Sequence, residues 1–382
     1  MSKWKRKKIG DILTLEYGKP LDKSLRVDNG NYPAYGANGV KCRTNEYYCD
    51  KQTIIVGRKG SAGEIILTEE KFWPLDVTYF VTFDDSLYDL KFIFWLLKKL
   101  NLPSLATGVK PGINRNNVYN IEVEIPEIEE QKQIVARLDQ AFSAIEKACE
   151  TAEQNLRNAK ELFDCYVVEV FSKIDSSWLH LKMSEVCVGT ITDGTHQTPK
   201  YFDEGYIFLS SKNVTTGEID WENVRYLDET QHIKMQKRLS PKLNDILLAK
   251  NGTTGVAAIV DREVVFDIYV SLALLRPSEM IEPRYLLHFV NSPLAKKQFD
   301  KRLKGIGVPN LHLKEIRDVV VSLPSSRESQ QEIVAKIDML LEHQKELQKI
   351  YYRKLQKLEE LKASILQSAL NGELTKSKGA AA

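Results

Sequence analysis

The segment Gln131-Lys132-Gln133-Ile134-Val135-Ala136-Arg137-Leu138-Asp139 returns as Gln330-Gln331-Glu332-Ile333-Val334-Ala335-Lys336-Ile337-Asp338, an offset of 199 residues. Solenoid repeats run at roughly 20–50 residues, so the offset marks two copies of a whole module. The match extends well beyond the helix start. Trp4 and Ile9-Gly10-Asp11-Ile12 align with Trp178 and Met183-Ser184-Glu185-Val186 at an offset of 174. Ile54 through Gly63 aligns with Ile246 through Gly255 at 192, Lys91–Phe94 with Arg284–Leu287 at 193, and Pro111–Pro126 with Pro309–Pro324 at 198. The offset grows along the chain and never shrinks, as expected for one fold whose copies differ by loop insertions. Any fold for this chain must therefore be built twice.

Each module reads as a globular part followed by a long helix. Short β-rich runs end at Gly and Asn turns, as at 53–56, 64–67, 77–83, 245–248 and 256–260. A helix is expected near 87–100, with its counterpart near 283–291. Ile121-Glu122-Val123-Glu124-Ile125-Pro126 alternates strictly and stops at proline, which predicts a half-buried strand.

After Pro126, Glu127, Glu129 and Glu130 place carboxylates in a first helical turn, where the helix dipole favours them. Leu138, Ala141, Ile145, Ala148, Ala152, Ala159, Leu162 and Tyr166 then step by threes and fours into a heptad stripe interrupted at Asn155. The second copy carries Ile337, Leu340, Leu347, Tyr351, Leu358, Leu361 and Ile365, with Gln344 and Lys354 where apolar residues are expected. Ile333, Leu341, Leu355, Leu366 and Ala369 lie beside that stripe and are also apolar. The surplus points to a further partner helix or to a wider intramolecular seam. At ~1.5 Å per residue each helix spans roughly 65–70 Å.

The expected fold class is α+β: two similar globular heads separated by two long antiparallel helices that form a coiled-coil spacer, with pseudo-two-fold symmetry. The expected boundaries are 1–126 and 176–324 for the heads, 127–175 and 325–374 for the helices, and 375–382 for a tail. A spacer of that length covers roughly two turns of B-DNA.

The chain of 382 residues has a formal net charge of only +2, so composition alone does not announce a nucleic-acid binder. Net charge by segment is +4 over 1–125, −5 over 126–175, +1 over 176–323 and +2 over 324–382. The densest basic run, Lys3-Trp4-Lys5-Arg6-Lys7-Lys8, is either a contact patch or a solvated N-terminal tail. Five cysteines lack metal-site spacing and no apolar span of membrane length is present. A reduced cytoplasm fits this usage.

No glycine-rich loop is followed by a Walker lysine, and Asn291-Ser292-Pro293-Leu294 departs from an adenine methyltransferase motif at its second and fourth residues. The six histidines show no ligand spacing, so no metal site is expected. Gly57-Arg58-Lys59-Gly60-Ser61-Ala62-Gly63 could cradle a phosphate, but between two strand-like runs it reads first as a hairpin turn. Arg58, Lys59, Lys250 and Asn251 then stand on equivalent turns, suited to backbone phosphates. Thr192, Asp193, His196, Gln197 and Thr198 are of the kind that hydrogen-bond base edges, although Asp193-Gly194 is also an ordinary turn. Further polar-loop candidates are Lys41, Arg43 and Asn45; Lys110, Asn114, Arg115 and Asn116; Ser211, Lys212 and Asn213; and Lys304, Asn310 and His312. Arg suits guanine and Asn suits adenine in the major groove, whereas Lys mostly supplies phosphate attraction.

These features, in this order and doubled, resemble the specificity (S) subunit of type I restriction–modification systems. The resemblance covers almost the whole chain. It rests on the paired Trp openings, the Gly60–Gly63 and Gly252–Gly255 turns, Ile125-Pro126…Glu130-Gln131…Ile134-Val135 leading into the helix, and the ending Leu361 through Leu374. The second helix entry, Pro324-Ser325-Ser326-Arg327-Glu328-Ser329-Gln330, has one extra residue and lacks the Glu-Gln pair.

The resemblance implies a non-catalytic subunit whose two target recognition domains each read one half of a bipartite duplex DNA sequence. It implies docking of two methyltransferase (M) subunits, with restriction (R) subunits added through them. S-adenosylmethionine, ATP and Mg would sit on those partners, with no cofactor in this chain. The docking surface would include Glu130, Gln131, Ile134, Val135, Gln330, Ile333, Val334, Leu341, Leu355 and Leu366. The competing readings are a helical scaffold with protein-binding heads and a self-contained DNA methyltransferase.

Overall fold

A computed structural model describes residues 4–173, 177–302 and 310–374. The chain divides into two compact units, residues 1–152 with 353–382, and residues 153–352.

In the first unit, β1 (Lys5–Lys8) precedes β2 (Leu13–Tyr17), β3 (Ile54–Gly57), β4 (Ile65–Leu67), β5 (Thr78–Phe83) and β6 (Glu122–Ile125). Four of these form an antiparallel sheet in the order β2-β5-β3-β4, and β1 pairs antiparallel with β6. A separate three-stranded sheet joins Tyr32–Gly36 to Gly39–Thr44 and, in parallel, to Trp73–Pro74. Helix α1 (Leu90–Lys99) is N-capped by Asp89, whose side chain accepts from the Phe92 amide. It buries Phe92, Ile93, Leu96 and Leu97 against Ile54, Val56, Tyr79 and Val81. The short α2 (Arg115–Tyr119) and the 44-residue α3 (Ile128–Phe171) follow.

The second unit repeats the plan. Strands β7 (Trp178–Lys182), β8 (Thr192–Asp193), β9 (Ile246–Ala249), β10 (Ala257–Ile259), β11 (Leu272–Leu275) and β12 (Val320–Pro324) correspond to β1 through β6. Their four-stranded order is β8-β11-β9-β10, and β7 pairs with β12. A three-stranded sheet of Tyr206–Leu209, Arg225–Leu227 and Phe266–Ile268 again contains one antiparallel and one parallel pair. Helices α4 (Pro283–Val290), α5 (Leu313–Arg317) and α6 (Arg327–Ala369) match α1 to α3.

The alternating run 122–125 is half-buried as its pattern predicts, with Val123 and Ile125 inside. The expected strands are present within one residue of their expected ends and the α1 and α4 helices within three, whereas α3 and α6 end at Phe171 and Ala369, short of the expected 175 and 374. The turn after β3 requires left-handed backbone at Gly60 (φ 80°) and Gly63 (φ 84°), and the turn after β9 does so at Gly252 (φ 76°) and Gly255 (φ 86°). A Cβ at Gly63 would lie 2.4 Å from the Pro103 nitrogen, so glycine is required there on steric grounds as well. The doubled glycine spacing is therefore a backbone requirement of the hairpin.

The long helices do not stand apart from the heads as separate domains. Each contributes its two ends to different units. In the first unit Ile134, Val135 and Leu138 of α3 join the head core, and so do Ala369 and Leu370 at the end of α6. Trp4 packs on Gly372, and Lys99 donates to Asn371 Oδ1 at 2.7 Å. In the second unit Val167, Val170 and Phe171 of α3 and Val334 and Ile337 of α6 do the same, with Phe171 edge-on to Tyr285 and Phe289. Within each unit, then, one end of α3 lies with the opposite end of α6. Removing the second helix would therefore open the core of the first head as well as alter a spacer. Leu370→Ala is expected to destabilise the first unit by about 2 kcal/mol, the low end for a buried leucine because it lies just past a helix end. Hydrogen exchange at the β3 and β5 amides would register the loss.

Several stripe residues are exposed: Leu162 (74%), Leu347 (41%) and Leu361 (47%). They are not seam residues of their own units. Other stripe positions are buried, Leu138, Ile145 and Ala152 in α3 and Ile337 in α6, so the stripe is interrupted rather than continuous.

Candidate nucleic-acid interface

In each head the hairpin turn of the four-stranded sheet is pinned to the loop preceding the short helix. In the first, the Ile113 amide donates to Arg58 O at 3.0 Å, and the Gly60 amide to Pro111 O at 2.9 Å. Lys59 and Gly112 form an antiparallel bridge. In the second, the Leu311 amide donates to Lys250 O at 2.8 Å, and Asn251 bridges Asn310. These contacts bring the predicted Arg58, Lys59, Lys110, Asn114, Arg115 and Asn116 together on one side of the first head, and Lys250, Asn251, Asn310 and His312 on the matching side of the second.

What these side chains do differs from one to the next. Arg58 donates through Nε and Nη2 to Asp76 O at 3.1 and 2.6 Å, and its guanidinium lies 5.3 Å from the Tyr17 ring centroid. Arg115 lies 5.0 Å from the same ring and reaches Leu15 O at 3.4 Å. Lys59 and Lys110 are exposed. Asn114 caps α2, its Oδ1 accepting from the Asn116 amide at 2.9 Å, and the residue is exposed. Arg43 is committed, donating to Gly30 O at 2.6 Å and Asn31 O at 2.9 Å, and Asn45 accepts from the Asn31 amide at 3.2 Å. Lys41 remains exposed beside them.

In the second head the largest correction falls on Asp193. It is buried, with Lys250 Nζ at 2.9 Å, His196 Nε2 at 3.1 Å and Arg238 Nη2 at 3.3 Å. Burial alone would raise its pKa, but hydrogen bonds from Lys250 and His196 outweigh that and hold the carboxyl below its ordinary range. Lys250 is itself buried, so neither it nor Asp193 is open to a phosphate or base. Asn213 is also internal: its Oδ1 accepts from the Ser210 amide, and its Nδ2 donates to Asp220 O and Asn223 O. Thr192 pairs with Leu274 in β11. His196, Gln197, Thr198, Lys212 and His312 stay exposed, and the Ser211 amide donates to Ser271 Oγ. Among the described residues, Asn251 Oδ1 and Asn310 Oδ1 are buried without a hydrogen-bond partner. Lys304 lies outside the described residues.

Gln197 and Thr198 help line a cavity of about 260 Å³ with Lys234, Arg238 and Asp267. His232 closes the inner side of this region, with its ring stacked on Tyr206 at 3.7 Å and its Nδ1 2.8 Å from Asp267 Oδ2. Sequence reasoning missed this cluster, and it missed a lysine–aromatic patch on the first head. There Lys19 and Lys71 approach the exposed rings of Tyr48 and Tyr47, and Trp73 Nε1 donates to Lys19 O. The adjacent Tyr47-Tyr48 pair was the only local hint.

The expected docking residues divide sharply. Gln131, Ile134, Val135, Gln330 and Val334 are buried inside their own units and unavailable to another chain. Glu130 accepts from Trp4 Nε1 at 3.1 Å. Ile333, Leu341, Leu355 and Leu366 are half-buried. The exposed apolar residues of α6 are instead Met339, Leu347, Ile350, Tyr352 and Leu361. Among the described residues no three His, Cys, Asp or Glu side chains converge to hold a metal ion, and no helix is long and apolar enough to cross a membrane.

A hairpin turn and a helix-entry loop locked together twice, with different polar groups on each copy, define a duplicated specificity scaffold. The family model for the type I restriction modification DNA specificity domain matches residues 1–153 and 196–360, and the chain belongs to that family, a family of specificity rather than catalytic components. It is 26% identical to the type I restriction enzyme MjaVIII specificity subunit of Methanocaldococcus jannaschii, over 97% of this chain and 93% of that one. It is 23% identical to the EcoBI specificity subunit of Escherichia coli, over 94% and 80% of the two chains. The fold matches, at 17% identity and a TM-score of 0.76, a chain from a structural study of complex assembly and conformational transition of the type I restriction–modification system, over 97% of this chain and 98% of that one. It also matches the HsdS subunit from Thermoanaerobacter tengcongensis at 16% identity and a TM-score of 0.58, over 97% of each chain.

Proposed function

We propose that each head reads one half of a bipartite duplex DNA target and that the chain docks two adenine methyltransferase subunits, through which restriction subunits join. S-adenosylmethionine, ATP and Mg belong to those partners, and the assembly works in the cytoplasm. The carrying observation is the hydrogen-bonded match of the two turn–loop scaffolds, Arg58–Ile113 and Lys250–Leu311, beneath side chains that differ. A shared scaffold with divergent groups suits two half-sites that are alike in geometry and unlike in sequence. Direct base contacts fall to the exposed Lys41, Lys110 and Asn116 of the first head and His196, Gln197, Thr198 and Lys212 of the second.

Partner docking falls to the exposed apolar positions of α6 rather than to the buried helix entries. Methylome sequencing of a host carrying this chain with its methyltransferase partner tests the reading. The expected result is a two-part motif with a modified adenine in each part. No modified motif, together with no duplex binding by the purified complex at low salt, would overturn it.

A further inference from the structure

The two heads differ in electrostatics at one shared position. In the first, Tyr17 of β2 pairs with Tyr79 of β5, which pairs with Val56 of β3. In the second, Asp193 of β8 pairs with Ala273 of β11, which pairs with Leu248 of β9. Val56 and Leu248 stand at the 192-residue offset of the doubled hairpin, so Tyr17 and Asp193 occupy the same place. Arg58 and Lys250 are partners by the same offset, and so are Lys59 and Asn251.

In the second head, Lys250 is buried and neutralised by Asp193, and the next residue is an uncharged Asn. In the first head the carboxylate is replaced by a phenol ring, 47% exposed, with Arg58 and Arg115 both resting on it. Those guanidiniums reach only carbonyl oxygens, Asp76 O and Leu15 O. Among the described residues neither guanidinium forms an ion pair, and neither does Lys59. A ring face attracts a cation without cancelling its charge. The ring therefore gathers two positive groups beside a third, and leaves all three able to attract phosphate.

We infer that the first head is the electrostatic anchor of the complex on DNA, with Arg58, Lys59 and Arg115 as phosphate contacts and Tyr17 as their positioning residue. In the second head both cations at this position, Lys250 and Arg238, are paired to Asp193, so it offers fewer unpaired charges to phosphate there. This rests on the DNA-reading function proposed above and assigns unequal shares of it to the two heads.

The test is the salt dependence of duplex binding by the full chain in complex with its methyltransferase partner, on a duplex carrying both half-sites. Each lost phosphate contact reduces the magnitude of the negative slope of log K against log salt by about 0.9. Arg58→Gln and Arg115→Gln should each reduce it by about that amount, and Arg58→Lys should restore it. The double variant Asp193→Asn with Lys250→Met, which leaves no buried charge unpaired, should leave the slope unchanged. Tyr17→Leu should reduce the magnitude while Tyr17→Phe keeps it, a contrast that loss of folding would not produce.

An unchanged slope in both arginine variants, or an equal fall in the Asp193→Asn, Lys250→Met variant, overturns the assignment while DNA binding itself stands. Failure of the wild-type complex to bind duplex at low salt would instead sink the functional reading.

Discussion

Replacing Gln131 by leucine is expected to destabilise the first unit by about 3 kcal/mol, and Gln330→Leu should do the same to the second. Gln131 Oε1 accepts from the Asp89 amide at 2.9 Å, and Nε2 donates to Leu87 O at 3.1 Å and Pro126 O at 2.9 Å. Gln330 repeats this with the Glu282 amide at 2.8 Å and with Met280 O and Pro324 O, both at 3.0 Å. Both side chains are fully buried. Each ties three backbone groups together where the last strand, the long helix and the start of the α1 or α4 helix meet. Leucine fills similar volume but strands one amide and two carbonyls, each costing about 1–3 kcal/mol when left unpaired inside. Partial solvation of the opened joint keeps the total near the lower bound. Because the chain has two units, hydrogen exchange should be read separately, at Phe92 and Leu96 for one and at Tyr285 and Leu286 for the other. Equal protection in variant and wild type would refute the role. Gln→Glu should also destabilise, because a carboxylate cannot donate to the two carbonyls.

The same glutamines show what the sequence could and could not convey. Their recurrence 199 residues apart was legible, and the family resemblance placed them on a docking surface. The recurrence in fact reports a joint that both copies need. Identity between copies marks scaffold here, as at Gly63 and Gly255, and so does the conserved helix-to-head ion pair, Lys91–Asp139 in one unit and Arg284–Asp338 in the other. The positions that differ are the informative ones for recognition, and they were harder to see. Tyr17 and Asp193 fall where the sequence alignment is loosest, in short edge strands after loops of unequal length. Only the strand register makes them equivalent. Arg58 was visible as a charged turn residue, but its ring partner lies 41 residues away in sequence and no periodicity links them. Elements were readable because their patterns are local. Whether Asn114 and Asn213 face solvent or satisfy backbone was not, because hydrogen-bonding side chains look alike in a loop whether they face inward or outward.

Asp193→Asn should cost the second unit about 3–4 kcal/mol and leave the first unaffected. Breaking a buried ion pair by neutralising one partner leaves an unpaired charge inside, at about 3–5 kcal/mol. Lys250 is that charge, with its side chain 7% exposed against 4% for Asp193. The asparagine oxygen can still accept from one neighbour, which trims the loss. Lys250→Met added to Asp193→Asn should recover most of it, because no buried charge then remains, and the double-mutant cycle should show strong coupling. In the first head the corresponding Arg58→Met should cost under about 1 kcal/mol, since that guanidinium is partly solvated and unpaired. The acid limb gives an independent readout. The folded-state pKa of Asp193 lies below its unfolded value of about 3.9. Its contribution is therefore complete above that value and disappears as pH falls through the folded one. The wild-type second unit should lose stability over that window, and Asp193→Asn should flatten the fall. If the variant keeps wild-type protection at the β9 and β11 amides, Lys250 has another counter-charge and the contrast between the two heads loses its physical basis.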